Sequence, residues 1–208
     1  MTGAEAITAF VALFVVIDPI GLAPIFVALT QGVTAVARRR IAVRACIIGF
    51  GLLLLFGLAG ESVLGFLGIS MAAFRIAGGI LLFLTALDML FERRTKRRED
   101  QAAEDGPEDD PSVFPLATPL IGGPGAIATM ILLTGQANGD PVHIAGVVGV
   151  MAAVLVCVLG MFLMAGVLER LLGRVGINVV TRLLGMLLAA LSVQFVLDGL
   201  RDFGILGL

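Results

Sequence analysis

The chain has 208 residues, 59% of them hydrophobic, and a mean hydropathy of +1.07. Its formal charge is only −2, and the charges sit in short clusters between long apolar runs. Such a composition excludes an ordinary soluble domain and fits several membrane spans of about 20 residues each.

Six spans are expected, at roughly 6–30, 41–60, 70–91, 114–136, 142–167 and 179–200. The N-terminus, Met1-Thr2-Gly3-Ala4-Glu5, has no basic segment ahead of the first apolar run, so that run is read as a permanent span. Strands are not expected, because the apolar runs are continuous and lack the alternation of a membrane barrel.

The first span carries Asp18-Pro19-Ile20-Gly21-Leu22-Ala23-Pro24. A carboxylate, two prolines and a glycine should interrupt a helix at a depth where no water can repair the loss. The fourth span repeats the pattern in Thr118-Pro119-Leu120-Ile121-Gly122-Gly123-Pro124. Helices 1 and 4 are therefore expected to be broken near Pro19/Pro24 and Pro119/Pro124.

Lys and Arg fall on one side. Arg38, Arg39, Arg40 and Arg44 follow the first span, Arg93, Arg94, Lys96, Arg97 and Arg98 the third, and Arg170 and Arg174 the fifth. The second and fourth connections carry none and the tail carries Arg201, so the odd connections should face the cytoplasm and both termini the outside. The third connection, 92–113, reads as a charged cytoplasmic linker that is expected to be disordered, its basic half beside the membrane and able to meet anionic lipid.

The linker divides the chain into similar halves, 1–91 and 114–208, that together form one membrane domain. Pro19/Pro24 answers Pro119/Pro124, and Glu61…Ile69 shares Glu, Leu, Gly, Gly and Ile in register with Glu169…Ile177. Arg75-Ile76-Ala77-Gly78 answers Arg182-Leu183-Leu184-Gly185. Each half has three spans, so the second enters from the opposite side. The expected fold is all-α: six transmembrane helices as two inverted three-helix repeats, an arrangement that serves alternating access.

The candidate substrate-binding residues are Asp18, Gly21, Thr118, Gly122 and Gly123. An intramembrane carboxylate is a functional candidate. Asp before Pro is equally the pattern of a helix start, and a cap at depth points free amides at a ligand, so the two readings stay open for Asp18. The glycines let backbone amides approach a small ligand, or serve as hinges. Arg75, Arg182 and Asp88 are gating or ion-pair candidates, with Asp18, Asp88, Asp198 and the broken-helix carbonyls as prospective partners of the arginines; interfacial snorkelling is the alternative. Thr85, Ser192 and Gln194 are deeper polar positions that interhelical hydrogen bonding would also explain.

Cys46 and Cys157 read as buried thiols, and His143 as an interfacial residue. No metal-ligand spacing, phosphate loop, catalytic set or basic aromatic surface is present, so no enzyme, metal, cofactor or nucleic-acid partner is expected.

At these motifs the chain resembles the MarC family. The resemblance rests on Asp18-Pro19-Ile20-Gly21 with Pro24, on Pro119-Leu120-Ile121-Gly122-Gly123-Pro124-Gly125, and on Arg75-Ile76-Ala77-Gly78-Gly79 with Asp88 closing the span. It implies a six-span inner-membrane protein of inverted repeats that transports small neutral amino acids such as glycine or alanine, with proton coupling left open. The partners would be the amino acid and the lipid bilayer, with a homo-oligomer left open. Two competing readings are an ion channel on the same scaffold and a membrane scaffold protein that acts through its linker.

Overall fold

A computed structural model describes residues 1–93, 110–137 and 139–204. These residues form eight helical segments: α1 (Gly3–Ile17), α2 (Pro19–Leu29), α3 (Ala35–Phe66), α4 (Met71–Leu90), α5 (Ser112–Ile121), α6 (Pro124–Gly135), α7 (Pro141–Leu163) and α8 (Ala165–Asp202). No strand occurs among the described residues. Most of the expected linker, residues 94–109, lies outside them, and so do its expected disorder and lipid contact.

The helix starts follow local chemistry. Thr2 and Glu5 form a reciprocal capping box on α1. Thr34, Ser70 and Asp140 each accept a backbone N–H at the start of α3, α4 and α7, and Pro141 fills the first position of α7.

Five stretches are long and apolar enough to cross a membrane: Gly3–Leu29, α3, α4, α7 and Val175–Asp202 of α8. The pair α5–α6, bent by 57°, brings the number to six. Two helices outrun their expected spans. The 32 residues of α3 reach about 48 Å at 1.5 Å per residue, beyond the ~30 Å hydrocarbon layer. Charged turns such as Arg38–Arg40 end the hydropathy of a span but do not end its hydrogen bonding. α8 likewise starts well before position 179, with Gly173 at φ 59°, ψ 176° marking a kink.

The interrupted spans lie at the centre. Every residue of α6 from Ala128 to Gly135 is buried, and so are Leu22, Ala23, Ile25 and Phe26 of α2. A helix apolar and covered all round belongs inside a bundle. The uninterrupted helices form the outside, where Leu55, Ile80, Leu84, Val156 and Leu183 are exposed as lipid-facing side chains.

Contacts also set the relative directions. Gly49 faces Ile121, Gly57 faces Met130, and Gly60 faces Ile131, so α3 runs parallel to α5–α6. Met1 lies against Gly146, and Phe26 stacks on Phe162 at 4.4 Å, so α1–α2 runs parallel to α7. Gly79 meets Ser192 and Val196, Gly185 meets Ala86 and Met89, and Gly199 meets Ala72 and Ile76, so α4 and α8 are antiparallel. Their pairing is the most extensive in the molecule. The first span packs on the fifth and sixth, and the fourth packs on the second and third.

Candidate functional site

Asp18 forms the first interruption. Its backbone is left-handed (φ 59°, ψ 65°), a conformation open to Asp, Asn and Gly at small cost, and it separates α1 from α2. The Asp18 N–H donates to the Phe14 carbonyl at 2.8 Å and closes α1. Its carboxylate Oδ1 accepts the Gly21 N–H at 3.1 Å and opens α2, whose first residue is Pro19. The residue is 1% exposed. α1 and α2 together still make one crossing of 27 residues.

Two details differ from the sequence reading. Pro24 does not end a helix; α2 continues through it to Leu29. Pro24, the sixth residue of α2, removes one backbone hydrogen bond to Ile20 and crowds that carbonyl without ending the helix, and the interruption comes instead from the left-handed turn at Asp18. Gly21 is bare for a local reason: a Cβ there would collide with the Asp18 carboxylate, its Cγ being 2.8 Å away.

The second interruption is built differently. α5 closes through wide five-residue turns, with Leu116 N–H to Pro111 O at 3.3 Å and Gly122 N–H to Ala117 O at 2.8 Å. Phe114 and Thr118 inside it are extended, and Thr118 is exposed. Gly122 is buried against Leu52. α6 begins at Pro124 after Gly123, with no side-chain cap on its first amides. Thr118 therefore does not repeat the capping role of Asp18. It stands six residues before α6, whereas Asp18 adjoins α2.

The tertiary fold brings the two interruptions together. A Cβ on Gly125, in the first turn of α6, would lie 3.2 Å from Val16, two residues before Asp18. It would also lie 3.5 Å from Leu82 and 3.8 Å from the Thr85 hydroxyl on α4. Thr129, one turn further along α6 and fully buried, donates to the Gly125 carbonyl at 2.8 Å. Gly125 closes the second motif but is not among the candidate site residues, and Thr129 is a site neighbour that no feature of the sequence points to. Ser192, buried on α8, donates to its own helix at Ala189 O (2.7 Å).

The arginine candidates lie apart from this centre, at the ends of the α4–α8 pair. Arg75 forms an ion pair with Asp202, and Arg182 pairs with Glu92 at 2.7 Å. Neither acid was among the partners expected. Asp202 lies beyond the predicted end of the sixth span, and only the antiparallel packing carries it to Arg75. Asp88 is half-buried one turn before Glu92, and Asp198 accepts from Gln194 at 2.9 Å. Arg44 pairs with Asp110 and so joins the first and third connections at one face. Hydrogen bonding from Ser112, with Arg44 adding, holds the Asp110 carboxyl below its ordinary value. No cluster able to hold a metal ion occurs among the described residues.

An all-helical bundle with lipid-facing side chains outside and two interrupted helices inside defines an integral membrane protein. Residues 4–203 match the family described as MarC family integral membrane protein, and the chain belongs to that family. It is 41% identical to a UPF0056 membrane protein of Archaeoglobus fulgidus, over 93% of this chain and 91% of that one. It is 34% identical to the UPF0056 membrane protein YhcE of Escherichia coli, over 92% of this chain and 90% of that one. The UPF0056 membrane protein YvbG of Bacillus subtilis is 36% identical, over 92% of each. No solved structure matches the chain.

Proposed function

We propose that the protein is a secondary transporter of small neutral amino acids of the glycine and alanine type, working by alternating access between two inverted three-helix repeats. The observation that carries this reading is the meeting of the two interruptions, with Gly125 of α6 against Val16 of α1 at the level of Thr85. The repeat reading is supported by the helix directions. α1–α2 runs parallel to α7 just as α5–α6 runs parallel to α3, and α4 and α8 oppose each other. Exchanging the first three spans for the last three preserves these relations.

The chemistry suits a zwitterion. The first amides of α6 carry no side-chain cap, and they sit at the positive end of a half-helix dipole, which favours a carboxylate. Asp18 supplies negative charge at the facing interruption for the ammonium group or a coupling proton. The protein lies in the inner membrane with its odd connections cytoplasmic and both termini outside. It acts as a carrier and not as an enzyme, with the amino acid and the bilayer as its partners.

The test is uptake of labelled glycine and alanine by proteoliposomes, with and without an imposed pH gradient. Saturable uptake above that of empty liposomes is expected. Reconstituted, folded protein that moves none of the small neutral amino acids overturns the substrate assignment. Currents far above carrier turnover would replace the carrier with a channel.

A further inference from the structure

We infer that the ion pairs Arg75–Asp202 and Arg182–Glu92 are two matched latches that close the transport path at opposite ends, each released in only one of the two access states. This rests on the alternating-access reading above.

The geometry is reciprocal. In both pairs the arginine belongs to the third span of one half and the acid lies at or beyond the far end of the third span of the other. Arg75 and Arg182 occupy equivalent positions in the repeat. Because α4 and α8 are antiparallel, the two pairs fall at opposite ends of the same helix–helix contact. Seventeen positions separate Arg75 from Glu92, a rise of about 25 Å, and twenty separate Arg182 from Asp202, about 30 Å. Those separations approach the thickness of the hydrocarbon layer. Thr85 lies ten positions from Arg75, and Ser192 lies ten from each of Arg182 and Asp202. On α4 the level where Gly125 is met is therefore about 15 Å from the Arg75 latch and, with Glu92 seven positions beyond Thr85, about 10 Å from the other; Ser192 on α8 is about 15 Å from each.

The contact between the latches can pivot. α4 and α8 meet through Gly79, Gly185 and Gly199, and a Cβ on Gly79 would lie 2.8 Å from the Ser192 carbonyl. At each of these glycines a side chain of the other helix (Val196, Met89 or Ile76) sits against bare backbone, so the middle of the seam is held by apolar contact alone and the charged pairs fall only at its ends. Arg75 is mostly buried in its pair, at 13% exposure, whereas the other three side chains are close to half exposed. Both pairs are formed together here, so the structure is latched at both ends.

The experiment uses the full-length protein carrying Cys46→Ala, Cys157→Ala and a reporter Thr85→Cys. A membrane-impermeant thiol reagent is applied to right-side-out and inside-out vesicles without substrate. Neutralising the linker-side pair (Glu92→Gln or Arg182→Gln) should raise labelling about threefold from the linker side and leave the other side unchanged, the scale set by a partly exposed ion pair. Neutralising Arg75 or Asp202 should do the reverse. The charge swaps Glu92→Arg with Arg182→Glu, and Arg75→Asp with Asp202→Arg, should restore the starting rates. Equal labelling from both sides, no change, or failure of both swaps in protein that still elutes as a folded species overturns the latch. Normal glycine uptake beside unchanged labelling removes the latch and keeps the transporter. Side-selective labelling of the reporter protein, together with no amino acid transport by the parent protein that keeps Thr85, keeps the latch and removes the substrate.

Discussion

Substitution at Asp18 separates the cap from the charge. The structure gives this residue two jobs that need no charge: a left-handed backbone at φ 59° and an oxygen that accepts the Gly21 N–H. Asn can do both, since it ranks with Asp as an N-cap and tolerates the left-handed region. Asp18→Asn should therefore stay within about 0.5 kcal/mol of the parent. Asp18→Gly keeps the backbone freedom and loses the side-chain cap, which costs a few tenths of a kcal/mol. Asp18→Ala loses the cap, about 1 kcal/mol, and must hold a left-handed turn, about 1–2 kcal/mol, so it should lose roughly 2–3 kcal/mol. The chain has no Trp or Tyr but has a buried Cys46, so thermal unfolding in detergent can be followed with a thiol-reactive dye. The expected order of melting temperatures is Asp and Asn highest, Gly next, Ala lowest. An Asn variant as unstable as the Ala variant would refute the reasoning, because the charge itself would then be structural. With stability preserved, Asp18→Asn isolates the charge in transport. Exchange of glycine should persist while dependence on the pH gradient disappears; undiminished coupling would confine Asp18 to capping.

Gly21→Ala should cost about 1 kcal/mol or more, because its methyl displaces the capping carboxylate, whereas Gly51→Ala, in open space on α3, should be neutral or gain up to about 1 kcal/mol; equal melting temperatures would remove the steric argument. The Thr134 hydroxyl reaches Gly57 O on another helix at 2.8 Å, so Thr134→Val should lose about 0.6 kcal/mol. Thr129→Val breaks only a bond within α6 and should lose less in the same unfolding assay. Asp110 has a lowered folded pKa, so its contribution to stability is complete above the ordinary carboxylate value near ~4 and fades as pH falls through the folded value. Asp110→Asn should accordingly flatten the fall in melting temperature below about pH 4, and an unchanged profile would show that the residue carries none of it.

How much was legible varies residue by residue. The interruption beside Asp18 is visible in sequence because a carboxylate and a proline in an apolar run have few other meanings. That Pro24 is carried inside α2 is not visible, since one missing N–H within a buried helix is a local loss that packing can absorb. Gly21 illustrates the same limit. Its bareness reads as room for a ligand until the Asp18 carboxylate is found in that space. Thr118 occupies the matching place in the second motif, yet its extended backbone and exposure give it no cap to make.

The sequence by itself determined that the chain is an all-helical membrane protein and roughly where its apolar spans fall. Those properties follow from hydropathy, which is written one residue at a time. Only the tertiary structure decided that the interrupted helices form the centre and that Gly125 rests on Val16. It alone matched Arg75 with Asp202 and Arg182 with Glu92. Such contacts join residues more than a hundred positions or a whole span apart, and they depend on the direction and depth at which helices cross. No local pattern of residues encodes that.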